Sequence, residues 1–360
     1  MSAARPDIFI APMDWGLGHA TRCVPLIRRL LASGCRIFLG GSGSSGAWLK
    51  REFPALPYTE LPAYDVQYSS FLPMPLQMLR KTPSILRTIS SEHDFILRRV
   101  KDNPVDCIIS DNRYGLYHPD VHSVFITHQL QIQGGSAGFL EPLLLRTHLG
   151  YISRFRECWI PDLPDAPNLG GRLSHVDKLP EYARYIGPLS RFSEAKNDGS
   201  KFRYELACIL SGPEPYRTAL EKELADQLYA NTCSAIVVRG TEAARVIDFP
   251  DRITVVDIAD TAQLENIIKD SKYLLSRSGY SSVMDWTALQ KQAILIPTPG
   301  QTEQEYLARY LREEGYFYSA GQQEFRIADA LPLVSQYSPP VHSGKELLED
   351  AVKQLLYRLG

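Results

Sequence analysis

Apolar residues along this chain fall in short unbroken runs, separated by longer stretches of helical period. Asp7–Ala11, Arg36–Leu39, Tyr58–Leu61, Cys107–Ser110 and Val124–Thr127 read as short strands. Ala20–Leu31 carries Val24, Ile27, Leu30 and Leu31 on one side and reads as a helix. Pro25 lies in its first turns, where a missing N–H costs little. A glycine-serine turn and a helix around Ala47–Glu52 follow the second strand. Such alternation predicts a parallel sheet with right-handed crossovers.

The run GPLSRFSEAKNDGSK, Gly187–Lys201, is polar and poor in apolar residues, as a linker should be. Alternation then restarts with strands at Leu206–Leu210, Ala235–Val238, Ile253–Val256 and Tyr273–Leu275, and helices at Tyr216–Tyr229 and Gln263–Lys269. The expected architecture is α/β: two Rossmann-like domains with parallel sheets facing each other across a cleft. Their expected limits are residues 1–187 and 205–342, with a linker at 188–204 and a last helix within 343–360.

The length of 360 residues suits two domains of ordinary size. A formal net charge of −2 gives no argument for a nucleic-acid partner. Cys23, Cys35, Cys107, Cys158, Cys208 and Cys233 show no CxxC spacing, which argues against a zinc site and fits reduced core thiols. No apolar run approaches the roughly 20 residues of a membrane helix. The amino terminus lacks a secretory signal pattern, so a cytoplasmic location is expected.

One segment carries more chemistry than any other. Ser276–Tyr306, SRSGYSSVMDWTALQKQAILIPTPGQTEQEY, reads as strand, glycine turn, helix, strand, proline-glycine loop, helix. Ser278, Gly279, Asp285, Gln304 and Glu305 therefore fall at the carboxyl ends of neighbouring strands, where ligands bind in open α/β sheets. A helix entered through Ser-Gly offers free N–H groups to an anion. A carboxylate a turn and a half later is able to accept hydrogen bonds from a sugar diol.

These residues resemble the nucleotide-sugar half of a GT-B glycosyltransferase, in particular the MurG family, glycosyltransferase family 28. In that resemblance Asp285 is the acid that holds the ribose, and Gln304 and Glu305 take the place of a Gln pair that holds the donor sugar. Glu305 departs from the pattern, which leaves the sugar open. The resemblance also puts the donor diphosphate at Ser211 and Gly212 in LSGPEPYRT, and the base edge at Ile258–Thr261, with Ile258 and Thr261 as contacts. It further implies that the last helix packs on the first domain. Arg239, ending the strand AIVVR, is placed to meet diphosphate charge, and Arg277 immediately precedes the Ser-Gly turn. No DxD motif stands in this half, so neither a metal nor a separate cofactor is expected; helix N-termini and basic side chains take the leaving charge.

The first loop, APMDWGLGHATRC, holds Gly16, Gly18 and His19, and resembles the family's amino-terminal Gly-His loop, which lines the acceptor side. The rival dinucleotide fingerprint needs a glycine where Thr21 stands and an acid where Gly40 and Gly41 stand; no GK[ST] follows either glycine loop. The second loop, Gly40–Gly46, reads as a phosphate cradle or, more commonly, a plain strand-to-helix turn. Inverting transfer needs one base to deprotonate the acceptor hydroxyl. His19, Asp14 and Asp111 are the candidates, with Asp111 expected just past its strand. Capping or turn roles compete at each. His128, after the strand ending at Thr127, reads equally as an acceptor contact or a structural hydrogen-bonder.

Phe71–Lys101 mixes dense apolar residues with Arg80, Lys81, Arg87, Arg98 and Arg99. It reads either as a face for an anionic membrane or as a core helix with a solvated basic side. The expected function is inverting, metal-independent transfer of a sugar, N-acetylglucosamine or a related hexose, from a UDP-sugar to a hydroxyl on a glycan, lipid-linked or small-molecule acceptor, as in cell-envelope synthesis. A nucleotide-sugar epimerase of the same fold and a non-catalytic nucleotide-sugar-binding subunit are the rivals.

Overall fold

The computed structural model describes residues 5–64, 74–131, 141–192, 202–241, 247–341 and 344–360, with side chains from 82 in the third helix and from 142 in the fourth. Contacts divide it into two units. The first contains the described residues up to 64, Pro75–Arg191 and the carboxyl-terminal segment from 344 onward; the second is Phe192–Val341. The expected linker lies largely outside the described residues.

The first unit is built on a seven-stranded sheet of β1 (Asp7–Pro12), β2 (Arg36–Gly41), β3 (Tyr58–Glu60), β4 (Cys107–Asp111), β5 (His122–Ile126), β6 (Glu157–Ile160) and β7 (Ala183–Tyr185). All neighbours are parallel, in the order β3-β2-β1-β4-β5-β6-β7. Both faces are covered, so the central strands are apolar throughout: Ile8–Ala11 and Cys107–Ile109 are fully buried. Crossovers are α1 (Leu17–Ala32), α2 (Gly43–Glu52), α3 (Met74–Asp102) and α4 (Glu141–Ile152). The sequence reading misses β6 and β7, which are short and carry Glu157 and Arg184 amid their apolar residues.

In the described part of α3, Ile89, Glu92 and Ile96 point inward, and Phe9, Ala11, Val105 and Ile108 form a core with Ile96. Arg87 and Arg98 are exposed, whereas the Arg99 guanidinium lies over the rings of Phe9 and Phe38. This half of α3 is a core helix with a solvated basic side. Phe71–Pro73 lie outside the described residues, as do the side chains up to Lys81. Among the described residues no helix is long and apolar enough to cross a membrane.

The second unit holds a six-stranded sheet of β8 (Tyr204–Ile209), β9 (Ala235–Val238), β10 (Thr254–Val256), β11 (Ser271–Ser276), β12 (Ala293–Leu295) and β13 (Tyr318–Ser319). It is also all parallel, ordered β10-β9-β8-β11-β12-β13. Its helices are α5 (Tyr216–Ala230), α6 (Thr261–Lys269), α7 (Tyr280–Ala288), α8 (Thr302–Glu313) and α9 (Ile327–Val334). Asp260 and Gln263 close a reciprocal capping box at the start of α6. Each sheet reverses its strand order once, between β1 and β4 in the first unit and between β8 and β11 in the second. At these points the strand ends splay and leave a crevice.

The last helix, α10 (Lys345–Leu359), belongs to the first unit, where it packs on α1. Glu157 of β6 pairs with Arg358 of α10 and Arg184 of β7, and accepts from His122 and the Trp159 indole. Burial alone would raise the Glu157 carboxyl. The hydrogen bonds from His122 and Trp159 and the charges of Arg184 and Arg358 outweigh it and hold it down at about 2. A depressed acid stabilises the fold above its unfolded value and loses that contribution as pH falls through the folded value. Glu157→Gln should therefore destabilise the first unit by about 2 kcal/mol at neutral pH. The gap between variant and native urea midpoints should shrink between about pH 4 and pH 2; a gap independent of pH would contradict this account.

Candidate active site

At the reversal point of the first sheet, Pro12 of β1 is in register with Asp111 of β4. The chain leaves β1 through Gly16, which caps α1 with φ +85°, a conformation that other residues rarely adopt. This turn sets α1 over the strand ends with His19 in its first turn. Asp111 is the last residue of β4 and not the first beyond it, as the sequence suggested, and its side chain is fully buried. Asn112 follows in the left-handed region at φ 58°, redirecting the chain.

Three residues of α1 spaced at i, i+3 and i+4 converge on the Asp111 carboxylate. His19 Nδ1 lies 3.0 Å from Oδ1, Arg22 donates through Nε to Oδ2 at 2.6 Å and through Nη2 to Oδ1, and Cys23 Sγ lies 3.6 Å from Oδ2. Burial would raise the Asp111 pKa, but Arg22 and His19 overcome it and hold the group well below the carboxylate range. His19 is itself lowered, chiefly by burial, with Asp111 opposing. It is thus a neutral imidazole at pH 7. Its Nδ1–H is committed to Asp111, and Nε2 has no protein partner among the described residues. The side chain is 18% exposed. Arg22 Nη1 reaches His128 Nδ1 at 3.0 Å. The structure therefore brings His19, Asp111 and His128 together, and Arg22 joins them. The i+3 spacing from His19 was the available signal for Arg22.

Asp14 stands apart from this group. Its Oδ2 accepts from Ser42 Oγ at 2.7 Å and from the Tyr64 amide at 3.0 Å. It faces Arg113, a fully buried residue that pairs with Glu92 at 2.7 Å and donates to the carbonyl of Pro12. Asp14 thus ties the first loop to the start of α2. The second glycine loop is largely helix: α2 begins at Gly43, with Ser42 as its cap.

In the second unit the reversal point lies between β8 and β11, where Ser276 pairs with Ile209. Gly279 caps α7 without a side-chain hydrogen bond, and a Cβ built there would meet nothing within 4 Å. The space beside Gly279 is thus clear. Ser278 is buried and donates to the Gln304 carbonyl at 2.8 Å. Gln304 Oε1 accepts from the Thr298 amide and Glu305 Oε1 from the Gly300 amide, so both brace the loop between β12 and α8. Asp285, on the second turn of α7, is 4% exposed.

Ser211 and Gly212 are exposed in the loop before α5, which begins at Tyr216 with Pro215 as its cap. Arg239 is engaged by carboxylates of its own unit, Glu221 at 2.7 Å and Asp257 at 3.2 Å. Arg277 turns inward and is 1% exposed. Thr261 is the first helical residue of α6, with Ile258 half-buried in the preceding loop.

Arg277 donates to the carbonyls of Tyr216, Ile296 and Pro297, joining the start of α5 to the loop after β12 beneath Ser278. Burial lowers its guanidinium to about 10, still protonated at neutral pH. Arg277→Met should leave these carbonyls without their donor and cost about 2–4 kcal/mol, read as a lower urea midpoint. An unchanged midpoint would show that the bracing is dispensable.

Residues 232–339 match the model of the glycosyltransferase family 28 C-terminal domain. An uncharacterised glycosyltransferase of Methanosarcina acetivorans is 22% identical over 319 residues, covering 84% of this chain and 80% of its own. Among solved structures, the spinosyn rhamnosyltransferase SpnG complexed with thymidine diphosphate has a TM-score of 0.63 at 13% identity, covering 99% of this chain and 100% of its own. MurG of Acinetobacter baumannii has a TM-score of 0.54 at 13% identity, with 97% and 94% covered. The chain is a glycosyltransferase of GT-B fold that carries a family 28 C-terminal domain and resembles MurG.

Proposed function

We propose that this glycosyltransferase acts with inversion and without a metal ion, moving N-acetylglucosamine or a related hexose from a UDP-sugar to an acceptor hydroxyl. The observation that carries the reading is the His19–Asp111 pair at the sheet's reversal point, with Nδ1 bound to a buried carboxylate and Nε2 without a partner among the described residues. His19 Nε2 takes the proton of the acceptor hydroxyl as its oxygen attacks the anomeric carbon. Asp111 holds the ring and stabilises the imidazolium that forms. The bond from the anomeric carbon to the diphosphate oxygen breaks, and the electron pair leaves with the nucleoside diphosphate. Ser278, Gly279 and Tyr280 at the start of α7 supply the amides that receive its charge.

Asp285 holds the ribose, and Gln304 and Glu305 meet the sugar; Ser211, Gly212 and the Ile258–Thr261 loop complete the donor pocket in this reading. Gly16, Gly18 and His128 frame the acceptor. The thymidine diphosphate bound by SpnG supports a nucleoside diphosphate leaving group. The acceptor is a glycan, lipid-linked or small-molecule hydroxyl presented on the cytoplasmic side, as in cell-envelope synthesis.

UDP and UDP-N-acetylglucosamine should raise the melting temperature, more than GDP or TDP and their sugars do. Slow release of UDP from the donor should fall about 10³-fold in His19→Ala, with binding retained. It should fall together with binding in Asp285→Ala. Free UDP-N-acetylmannosamine as product would instead establish the epimerase, and binding without turnover the non-catalytic subunit. Contact with anionic membrane is part of the proposal, supported by exposed Leu86 and Arg87 on α3 and exposed Leu143 and Leu144 on α4. Flotation with phosphatidylglycerol liposomes should be weakened by Leu86→Glu with Arg87→Glu; no flotation of the native protein would end that part.

A further inference from the structure

Arg22 is a buried cation of the first unit that bridges two of the site's side chains, and no sequence motif singled it out. Its guanidinium is 1% exposed and lies between two groups that the proposed reaction uses. On one side Nε and Nη2 fork onto both oxygens of Asp111. On the other, Nη1 lies 3.0 Å from Nδ1 of His128, whose ring is 5% exposed. Asp111 is fully buried and also meets His19 Nδ1.

Donor and acceptor capacities leave one arrangement of protons. A guanidinium only donates, so His128 Nδ1 must accept, and its proton sits on Nε2. An ionised carboxylate only accepts, so His19 Nδ1 must donate, and the lone pair sits on Nε2. The two imidazoles are therefore fixed as opposite tautomers. The lone pair of His19 is on Nε2, and the proton of His128 is on Nε2. Arg22 orders one ring directly and the other through Asp111. A lysine has a single ammonium in place of the fork and cannot hold the carboxylate at both oxygens while also reaching His128.

We propose that Arg22 is a positioning residue that sets the tautomers of both histidines, leaving the lone pair of His19 on Nε2 for its role as base and the proton of His128 on Nε2. The inference deepens the reading of the same site and rests on it for the roles, but the proton arrangement stands without any substrate. The charge of Arg22 also opposes protonation of His19, alongside the opposing pull of Asp111 and a smaller push from His128. These are the charged and titratable groups facing His19 from α1, β4 and the segment after β5.

Nitrogen-15 spectra of the histidine side chains, recorded on the native protein above pH 8, test the arrangement directly. His128 should show a bare-nitrogen shift at Nδ1 and an N–H shift at Nε2, and His19 the reverse. His128 with its proton on Nδ1 would overturn the proposal. In Arg22→Gln the His128 pattern should become a mixture. The acid limb of UDP release should move up by about one pH unit, because a cation beside His19 is gone. Arg22→Lys should return the limb toward its native position but leave the His128 mixture, which separates charge from bridging. If both variants fold, judged by circular dichroism, and keep the native tautomers and limb, Arg22 is only a packing residue and the proposal fails. Should Arg22→Gln not fold, the native spectra and the lysine variant decide. Native spectra as expected, with no turnover of any nucleotide-sugar, would instead count against the glycosyl-transfer reading and leave the proton arrangement in place.

Discussion

A carboxylate buried at the end of a strand must be paired, or it will not stay charged. Asp111 meets this constraint with donors from a single helix face, and the geometry of the first unit follows from that arrangement. Arg22 supplies the countercharge, His19 the hydrogen bond that orients its ring, and Cys23 a thiol contact. Removing either charge would strand the other in a medium of low dielectric, at a cost of about 3–5 kcal/mol. The cluster that the proposed reaction uses is thus also part of what holds α1 to the sheet.

The second unit meets a different demand. Its reversal point is made of loops, and backbone amides hold their direction only if the loops around them are rigid. Buried side chains supply that rigidity. Arg277 gathers three carbonyls, Ser278 reaches across to α8, and Gln304 and Glu305 each hold an amide of the loop after β12. Several residues that look like ligand contacts in the sequence brace the frame of these loops. Arg239 and Arg217 illustrate the same point, since both meet Glu221.

The parallel α/β order of both sheets was legible because apolar strand runs and amphipathic helices alternate with little ambiguity. The segment Ser276–Tyr306 could be read element by element, and β11, α7, β12 and α8 follow in that order. His19 was legible from the glycines before it. Arg113 and Glu92 were not, because their pairing spans 21 residues and joins a loop to a helix interior, and local periodicity does not report such a contact. The inward turn of Arg277 was hidden for a similar reason: its acceptors are carbonyls, and a carbonyl leaves no mark in the choice of residue. Asp111 was placed one position too late, since a polar residue at a strand end looks like the start of a turn.

The path of the chain through the two units has a further consequence. Gly187, before the chain enters the second unit, approaches Gly344, just after it returns, so closely that a Cβ on Gly187 would lie 2.2 Å from the Gly344 carbonyl oxygen. Exit and re-entry are thus neighbours on one surface of the first unit, and the second unit is a cassette spliced into a continuous host. Recombination at these two glycines would exchange the second unit for another while leaving the buried Asp111 cluster of the first intact, which gives a lineage of such chains a route to new partners for an old host.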